Sequence, residues 1–290
     1  MKSGFVNIIG NPNVGKSTLM NELVGEKVSI VTSKSQTTRH RILGIVNGEN
    51  YQVILSDTPG IIKPRYLLQE RMMNFVVSSF EDSDLFLYVT DVVESPDKNI
   101  EYIEKLRNVT TPILCLINKI DLFPDDDISN IENFWKETLP NAEIIKISAL
   151  NKVNTEILLP KIISLLPESH PWFPTDQLSD KPDRFIVTEI VREKILQNYQ
   201  KEIPYSCEVV CDEFKEDDNI IRIKTIINVE RDSQKGIIIG NKGAALKKTS
   251  TESRLDMEKF FGKKVYLETF VKVKKDWRSN ELFLKKFGYL

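Results

Sequence analysis

Three short groups of residues have the types and spacing needed to hold a nucleotide. The first is residues 10–17, GNPNVGKS, in which a glycine precedes four variable residues and then Gly-Lys-Ser. Such glycines let the backbone turn tightly and present N–H groups to phosphate oxygens, while Lys16 reaches the outer phosphates and Ser17 ligates magnesium. An apolar run before the group and an amphipathic run after it predict the strand, loop and helix that a phosphate-binding loop requires.

The second group is Asp57-Thr58-Pro59-Gly60. A carboxylate at the end of a buried strand holds magnesium through water, and Gly60 offers its N–H to the terminal phosphate. Between the two groups, residues 27–41 are polar with little periodicity, which predicts a mobile loop. Thr38, rather than Thr37, is expected to complete the magnesium shell.

The residue after Gly60 is Ile61, where many nucleotide switches place a water-orienting glutamine. An isoleucine can neither accept a proton nor orient water. No side chain is therefore a convincing general base, and we expect slow turnover in which Lys16, Thr38 and Gly60 support phosphoryl transfer by positioning and electrostatics.

The third group, Asn118-Lys119-Ile120-Asp121, follows an apolar run and selects the base. The Asp121 carboxylate can accept both N1–H and the exocyclic amine of guanine, which adenine cannot match, while the Asn118 amide meets the O6 and N7 edge. The backbone of residues 148–150 can close over the base. The predicted nucleotide-binding residues are Gly10, Asn11, Pro12, Asn13, Val14, Gly15, Lys16, Ser17, Thr18, Asp57, Thr58, Pro59, Gly60, Ile61, Asn118, Lys119, Ile120, Asp121, Ser148, Ala149 and Leu150.

The elements that must position these groups alternate between strand and helix. Strands are predicted at 5–9, 43–46, 51–56, 85–90, 112–117 and 142–147, and helices at 18–24, 66–80, 97–108 and 153–166. A hairpin turn is predicted at Asn47-Gly48. The pattern indicates an α/β P-loop domain with a mixed sheet flanked by helices.

The second half of the chain has a different pattern. Prolines 167, 171, 174 and 182 mark a semi-rigid connector, so we predict a nucleotide-binding domain at 1–167, a linker at 168–183 and a second domain at 184–290. In that domain, helices are predicted at 185–200 and 244–261, and strands at 205–214, 220–230 and 265–273. This order indicates an α+β domain.

The basic character of the second half points to nucleic acid. Residues 1–180 contain 17 Lys and Arg against 24 Asp and Glu, whereas residues 231–290 contain 15 against 7. The loop Gly240-Asn241-Lys242-Gly243 lets a nucleic-acid backbone approach closely, and Lys242, Lys247 and Lys248 can neutralise its phosphates. These residues are the predicted RNA contacts.

Composition excludes several other classes. Three cysteines and two histidines give neither an even disulfide framework nor a zinc spacing, which indicates a reducing compartment and no structural metal. The sequence contains no run of 18 apolar residues and no signal-peptide pattern. A cytoplasmic protein is therefore expected.

Residues 1–167 resemble the Era-like group of translation-factor-type GTPases in the order of these motifs. Members of that group normally lack the water-orienting glutamine, whose position is occupied here by Ile61. Their hydrolysis depends on positioning of the water by the backbone and the metal. The resemblance implies GTP and GDP as ligands, Mg2+ at Ser17, Thr38 and Asp57, and a K+ ion beside Asn13, although Asn13 could equally only cap the loop.

Residues 184–275 resemble a type II KH domain. The pattern alone favours a strand at 237–239, whereas the resemblance implies a helix at 233–239. Both halves together resemble the Era family of ribosome-assembly GTPases. Two departures are Asn11, where arginine is common, and Asn241-Lys242, where the usual loop has Lys-Gly.

The resemblance implies a GTPase that binds small-subunit (16S) ribosomal RNA near its 3' end and assists small-subunit assembly. It also implies a monomer that associates peripherally with the inner face of the cell membrane. The residues leave three alternatives open: a GTPase acting on another RNA or at the membrane, an ATP-using kinase or ATPase, and a non-enzymatic RNA-binding scaffold.

Overall fold

The computed structural model describes residues 1–93 and 98–289, except for the side chains of residues 125–127. The chain forms two compact units. The first comprises Met1–Pro64 and Met72–Asp180, and the second comprises Arg65–Arg71 and the chain from Lys181 onward.

The first unit is built on a six-stranded sheet. Its strands have the order β2-β3-β1-β4-β5-β6, in which β2 is antiparallel to β3 and the remaining pairs are parallel. The strands are β1 (Lys2–Ile9), β2 (Ile42–Gly48), β3 (Tyr51–Asp57), β4 (Leu85–Asp91), β5 (Ile113–Asn118) and β6 (Ala142–Lys146). The helices are α1 (Lys16–Val24), α2 (Leu67–Ser78, grouped with the second unit up to Arg71), α3 (Ile100–Arg107), α4 (Asp125–Thr138) and α5 (Leu158–Leu165). The predicted mixed sheet with flanking helices is confirmed.

The centre of this sheet positions the nucleotide groups. Every residue of β4 and β5 is buried, as their continuous apolar runs require, and α3 and α4 cover them through Leu106 and Trp135. The strand order reverses on either side of β1, which leaves a crevice at the carboxyl ends of the parallel strands. The predicted groups after β1, β3 and β5 all emerge at that edge.

The hairpin between β2 and β3 differs from its prediction. Asn47 and Gly48 belong to the ladder and pair with Gln52 and Tyr51, so the turn lies at residues 49–50. The side chain of Gln52 donates to Oδ1 of Asn47 at 2.8 Å, which extends the pairing beyond the predicted turn.

Two helices also differ from their predictions. Helix α5 begins at Leu158 rather than at Val153, because Val153 pairs with Ser148 and the neighbouring Lys152 and Asn154 have left-handed φ angles of +57° and +58°. Helix α4 has no counterpart in the sequence prediction. The predicted start of α3 at residue 97 lies outside the described residues.

Residues 168–180, which contain part of the proline-rich segment, pack along the edge of the first unit. The buried Gln52 side chain accepts the Trp172 N–H at 2.6 Å. Further along, the Leu43 N–H donates to Oδ1 of Asp180 at 2.8 Å. The segment is therefore fixed to β2 and β3 by hydrogen bonds.

The second unit contains a three-stranded sheet in the order β7-β8-β9, with β7 antiparallel and β9 parallel to β8. Its elements are α6 (Asp183–Asn198), α7 (Ile203–Ser206), β7 (Glu208–Glu216), β8 (Ile220–Val229), α8 (Asp232–Ile239), α9 (Ala244–Phe261), β9 (Lys264–Val273) and α10 (Glu281–Lys286). This α+β order confirms the type II KH arrangement, including the helix that local propensity did not favour.

Candidate nucleotide-binding site and nucleic-acid interface

The phosphate-binding loop connects β1 to α1, and two of its positions accept only glycine. Gly10 has φ +150° and Gly15 has φ +98°. A β-carbon would lie 2.1 Å from the Val89 carbonyl oxygen at Gly10, and 2.2 Å from Nδ2 of Asn118 at Gly15. Both distances are far inside van der Waals contact, so the loop can take this concave form only with these glycines.

The Lys16 side chain folds back over the first residues of the phosphate-binding loop. The residue is 6% exposed, and Nζ donates to the carbonyl oxygens of Gly10 at 3.0 Å and Asn11 at 2.7 Å. The ammonium group is thus held over the concave face at which phosphate oxygens would bind.

Three oxygen-bearing side chains meet beside the loop. The Ser17 hydroxyl lies 2.7 Å from Oδ2 of Asp57 and 2.9 Å from Oγ1 of Thr38, and Oγ1 of Thr38 lies 3.1 Å from the same carboxylate oxygen. Thr37 instead donates its hydroxyl to the Lys34 carbonyl at 2.6 Å. Thr38 rather than Thr37 therefore lies beside Ser17 and Asp57, and such hard oxygen ligands suit Mg2+.

The carboxylate in this cluster is fully buried. Burial raises the pKa of Asp57, and the hydrogen bond from Ser17 and the charge of Lys16 oppose that shift. A buried carboxylate whose ionised form is disfavoured gains strongly from a bound cation. The electrostatics of the cluster thus fit a divalent metal.

The segment after β3 packs directly on the phosphate-binding loop. The Thr58 hydroxyl donates to the Ile8 carbonyl at 2.8 Å, and the Ile61 N–H donates to the Gly10 carbonyl at 3.1 Å. A β-carbon on Gly60 would lie 2.7 Å from Cα of Pro12. The Ile61 side chain is only 2% exposed, so it is directed into the protein rather than toward a bound nucleotide.

The third group joins the loop to the segment after β6. Asn118 donates Nδ2 to the Val14 carbonyl at 2.7 Å and accepts the Ala149 N–H on Oδ1 at 2.9 Å. Asp121 accepts a hydrogen bond from the Ser148 hydroxyl. Asn118 is therefore engaged as a brace between two loops, and contact of its amide with guanine stays a prediction.

These parts enclose a cavity of about 590 Å³ at the carboxyl edge of the sheet. Several of its lining residues carry no signal in the sequence. They belong to the polar stretch before Thr38 or follow Asp121, and their pattern has no periodicity that would indicate them. The lining residues are Pro12, Asn13, Gly15, Lys16, Ser17, Thr18, Ile30, Val31, Thr32, Ser33, Lys34, Gln36, Thr37, Thr38, Gly60, Asn118, Lys119, Asp121, Leu122, Ser148, Ala149 and Leu150.

The second unit presents the glycine loop between α8 and α9. Gly240, Lys242 and Gly243 have φ angles of +72°, +49° and +80°, and the Asn241 and Lys242 side chains are exposed. Lys247 and Lys248, one turn further along α9, are also exposed, and Lys248 lies 3.8 Å from Glu252. The predicted RNA contacts thus share one exposed loop and the first turns of one helix.

The helices on either side of this loop, α8 and α9, are joined by hydrogen bonds to one buried tyrosine. The Tyr199 hydroxyl donates to the Ile238 carbonyl at 2.8 Å and accepts from the Thr249 hydroxyl at 3.2 Å. Burial raises the pKa of Tyr199, so the phenol remains a hydrogen-bond donor at neutral pH. The loop is thereby held on a rigid support.

The fold and the site define a P-loop GTPase joined to a KH domain. The family described as 50S ribosome-binding GTPase matches residues 5–119, and the KH domain family matches residues 202–278. GTPase Era of Syntrophus aciditrophicus is 46% identical over 99% of the chain and 95% of the relative, and that of Geobacter sp. (strain M21) is 46% identical over 99% and 98%. The chain belongs to the GTPase Era family and is a GTPase.

Two solved structures are similar over the whole chain. One is an Aquifex aeolicus Era variant bound to GDP·AlF4−, which is 39% identical with a TM-score of 0.95 and covers 100% of this chain and 99% of that one. The other is Era with MgGDPNP and nucleotides 1506–1542 of 16S ribosomal RNA, which is 40% identical with the same TM-score and coverage.

Proposed function

We propose that the protein uses slow GTP hydrolysis to control its binding of the 3' end of small-subunit (16S) ribosomal RNA during assembly of the small ribosomal subunit. The observation that carries the proposal is a cavity lined by the phosphate-binding loop and Asp121, together with an exposed glycine loop followed by lysines, on one chain. The similar Era structure with MgGDPNP and a 16S fragment supports the pairing of these ligands.

In this proposal, residues 10–18 and 57–61 hold the phosphates, and residues 118–121 and 148–150 hold the base. Asp121 accepts the guanine N1–H and amine, which sets specificity, because adenine offers no matching pair of donors. Asn118 acts by keeping the Val14 and Ala149 backbones at a fixed distance. Through Asn118, the loop that holds the phosphates is thus connected to the segment that holds the base.

Mg2+ is the proposed cofactor, held by Ser17, Thr38 and, through water, Asp57. Bound Mg2+ supplies positive charge that neutralises the developing charge on the β- and γ-phosphates. Asn13, which is exposed at the cavity wall with φ +67°, is the proposed partner of a K+ ion. The protein's own part is to orient these oxygens before the nucleotide arrives.

Hydrolysis is proposed to proceed without a side-chain general base. Among the described residues that line the cavity, Asp121 is the one carboxylate, and it belongs to the group assigned to the base rather than to the phosphates. None of those described lining residues is histidine. Lys16, Thr38 and the Gly60 N–H can therefore contribute only electrostatics and positioning, which fits slow turnover.

The RNA-binding residues proposed are Gly240, Asn241, Lys242, Gly243, Lys247 and Lys248. A monomer in the cytoplasm is proposed, with peripheral contact at the inner membrane face as an addition. None of the helices formed by the described residues is long and apolar enough to cross a membrane. A GTPase that acts on another RNA or at the membrane is the alternative.

The test is binding of a short single-stranded RNA that copies the 3' end of small-subunit ribosomal RNA, at a stated salt concentration. Binding is measured with a GTP analogue, with GDP and without nucleotide, and a scrambled RNA of equal length is the control. Tighter binding of the specific RNA with the analogue is expected. Equal binding in all three states would refute the switch, and equal binding of both RNAs would favour the alternative.

A further inference from the structure

Four polar side chains form a compact cluster, termed the Arg41 cluster, from Asn7, Arg41, Ser56 and Asp82. Arg41 donates Nε to Oγ of Ser56 at 2.7 Å, Nη1 to Oδ2 of Asp82 at 2.7 Å and Nη2 to Oδ1 of Asn7 at 3.0 Å. Asn7 in turn donates Nδ2 to the Ser79 carbonyl at 2.7 Å. None of the four is among the described residues that line the cavity.

The cluster connects the chain segments that carry two of the proposed magnesium ligands, Thr38 and Asp57. Arg41 is three residues after Thr38 and directly before β2, and Ser56 directly precedes Asp57 in β3. Asn7 pairs with Ser56 in the ladder between β1 and β3, close to where β1 enters the phosphate-binding loop. One guanidinium group therefore connects the end of residues 27–41 to both strands.

The polar side chains of the cluster are better suited to fixing the orientation of the segments they join than to filling space in the core. Asn7 and Ser56 are fully buried, where apolar side chains would avoid the desolvation of polar groups. Both buried members are paired with Arg41, which fixes one arrangement, whereas the Asp82 carboxylate at the outer end is 44% exposed. The planar guanidinium adds directional bonds on three sides, which a lysine ammonium cannot reproduce.

We infer that Arg41 is a positioning residue for GTP hydrolysis. It holds the Thr38 hydroxyl in register with the Asp57 carboxylate, so that both oxygens are placed for Mg2+. The inference rests on the proposed magnesium roles of these two residues. Misplacement by about 1 Å can cost a hundredfold in rate, so a bond remote from the reacting atoms can control turnover.

The test compares Arg41→Gln and Arg41→Lys in the full chain. The matched control is Arg107→Gln, because Arg107 is also in the first unit and donates Nε to a backbone carbonyl, that of Thr138, at 2.5 Å. The readouts are kcat, KM, the Mg2+ concentration for half-maximal hydrolysis, GDP affinity and thermal unfolding. If Arg41→Gln does not fold, Arg41→Lys, which keeps the charge beside Asp82, carries the test.

Arg41→Gln is expected to lower kcat about tenfold and to raise the Mg2+ requirement, with KM for GTP and GDP affinity changed by no more than about twofold. Arg107→Gln should match wild type. Asp82→Asn should lower kcat in the same direction, and the double variant with Arg41→Gln should be no slower than Arg41→Gln alone.

A Thr38→Ala variant separates failure of this inference from failure of the proposed site. If Thr38→Ala is slow but Arg41→Gln has wild-type kcat and Mg2+ dependence, Arg41 has no positioning role. If Thr38→Ala also hydrolyses GTP normally, the proposed metal site itself is wrong. A loss of GDP affinity and unfolding temperature without a changed Mg2+ dependence would make Arg41 merely structural.

Discussion

Asn118 donates its side-chain amide to the Val14 carbonyl oxygen at 2.7 Å, across 104 residues of sequence. The bond joins the phosphate-binding loop to the end of β5, where the residues proposed to select the base begin. The other end of the same amide accepts the Ala149 N–H. One buried side chain therefore links the phosphate-binding loop to the segment after β6.

Replacement of Asn118 by alanine should weaken GTP and GDP binding to a similar extent. The change leaves the Val14 carbonyl and the Ala149 N–H without their partner, and each lost buried hydrogen bond costs about 1–3 kcal/mol. Because two such bonds are lost, equilibrium titration with fluorescent guanine nucleotides should show affinities lower by at least about thirtyfold.

The control for this change is Asp121→Asn, which alters the base-reading group and leaves the brace intact. It should lower guanine affinity and raise relative affinity for xanthine nucleotides, because an amide can donate to the oxygen that replaces the guanine amine. Unaltered GDP affinity in Asn118→Ala would show that the brace is not needed.

Gly15 and Gly25 allow a matched test of the phosphate-binding loop. Both have positive φ, +98° and +79°, so alanine at either position carries the same kind of backbone strain. Only Gly15 also has a neighbour in the way, since its β-carbon would meet Asn118 Nδ2 at 2.2 Å, whereas nothing lies within 4 Å at Gly25.

Gly15→Ala should therefore abolish detectable nucleotide binding, while Gly25→Ala should bind normally and lose about 1–2 kcal/mol of stability. Calorimetric titration with GDP and urea unfolding distinguish the two effects. Normal GDP binding by Gly15→Ala would contradict the described loop geometry.

The position of the three predicted nucleotide groups can be inferred from the sequence because each one marks the end of a buried strand. Because β1, β3 and β5 run parallel in one sheet, their carboxyl ends lie at the same edge, where Gly10, Asp57 and Asn118 are found. The residue types then define the chemistry with little need for coordinates.

Other features depend on contacts that no local pattern encodes. The residues around Ile238 have high strand propensity, yet Ile238 lies fully buried in helix α8. Its backbone carbonyl accepts a hydrogen bond from the Tyr199 hydroxyl, so tertiary packing overrides the local propensity. Arg41 and Asp82 are distant in sequence and carry no motif, so their bond appears only in three dimensions. The predicted start of α5 at Val153 is wrong because the pairing of Val153 with Ser148 keeps it outside the helix.

The metal-free protein should be more stable when the buried Asp57 side chain is protonated and therefore neutral. Because burial raises the pKa of Asp57 in the folded state, its stabilising protonated form is present below the ordinary carboxyl pKa and is lost as pH rises through the raised value. Without metal, Asp57→Asn should therefore unfold at higher urea concentration than wild type near neutral pH, and this advantage should shrink at acid pH.

Urea unfolding with a chelator from pH 4 to 8 measures this difference, and a parallel series with Mg2+ and GDP should favour wild type instead. Ser164→Ala, at an exposed hydroxyl of α5 that donates to the Lys161 carbonyl, is a control expected to show no such pH dependence. An Asp57→Asn variant less stable than wild type in chelator at pH 7 would show that the carboxylate is already satisfied by the protein.

The proposed RNA contacts make a quantitative prediction about salt. Lys247 and Lys259 are both exposed on α9, 12 residues and therefore about 18 Å apart along the helix. Only Lys247 is close to the glycine loop. Each lysine that neutralises a phosphate of single-stranded RNA contributes about 0.7 to the slope of log affinity against log salt concentration.

Lys247→Gln should thus weaken RNA binding at low salt and flatten that slope by about 0.7, with similar effects on specific and scrambled RNA. Lys259→Gln should leave both affinity and slope unchanged. Binding measured by fluorescence anisotropy from 50 to 300 mM salt gives both quantities. Equal losses in the two variants would mean that the basic charge of the second unit attracts RNA diffusely, so that the glycine loop would not define the binding site.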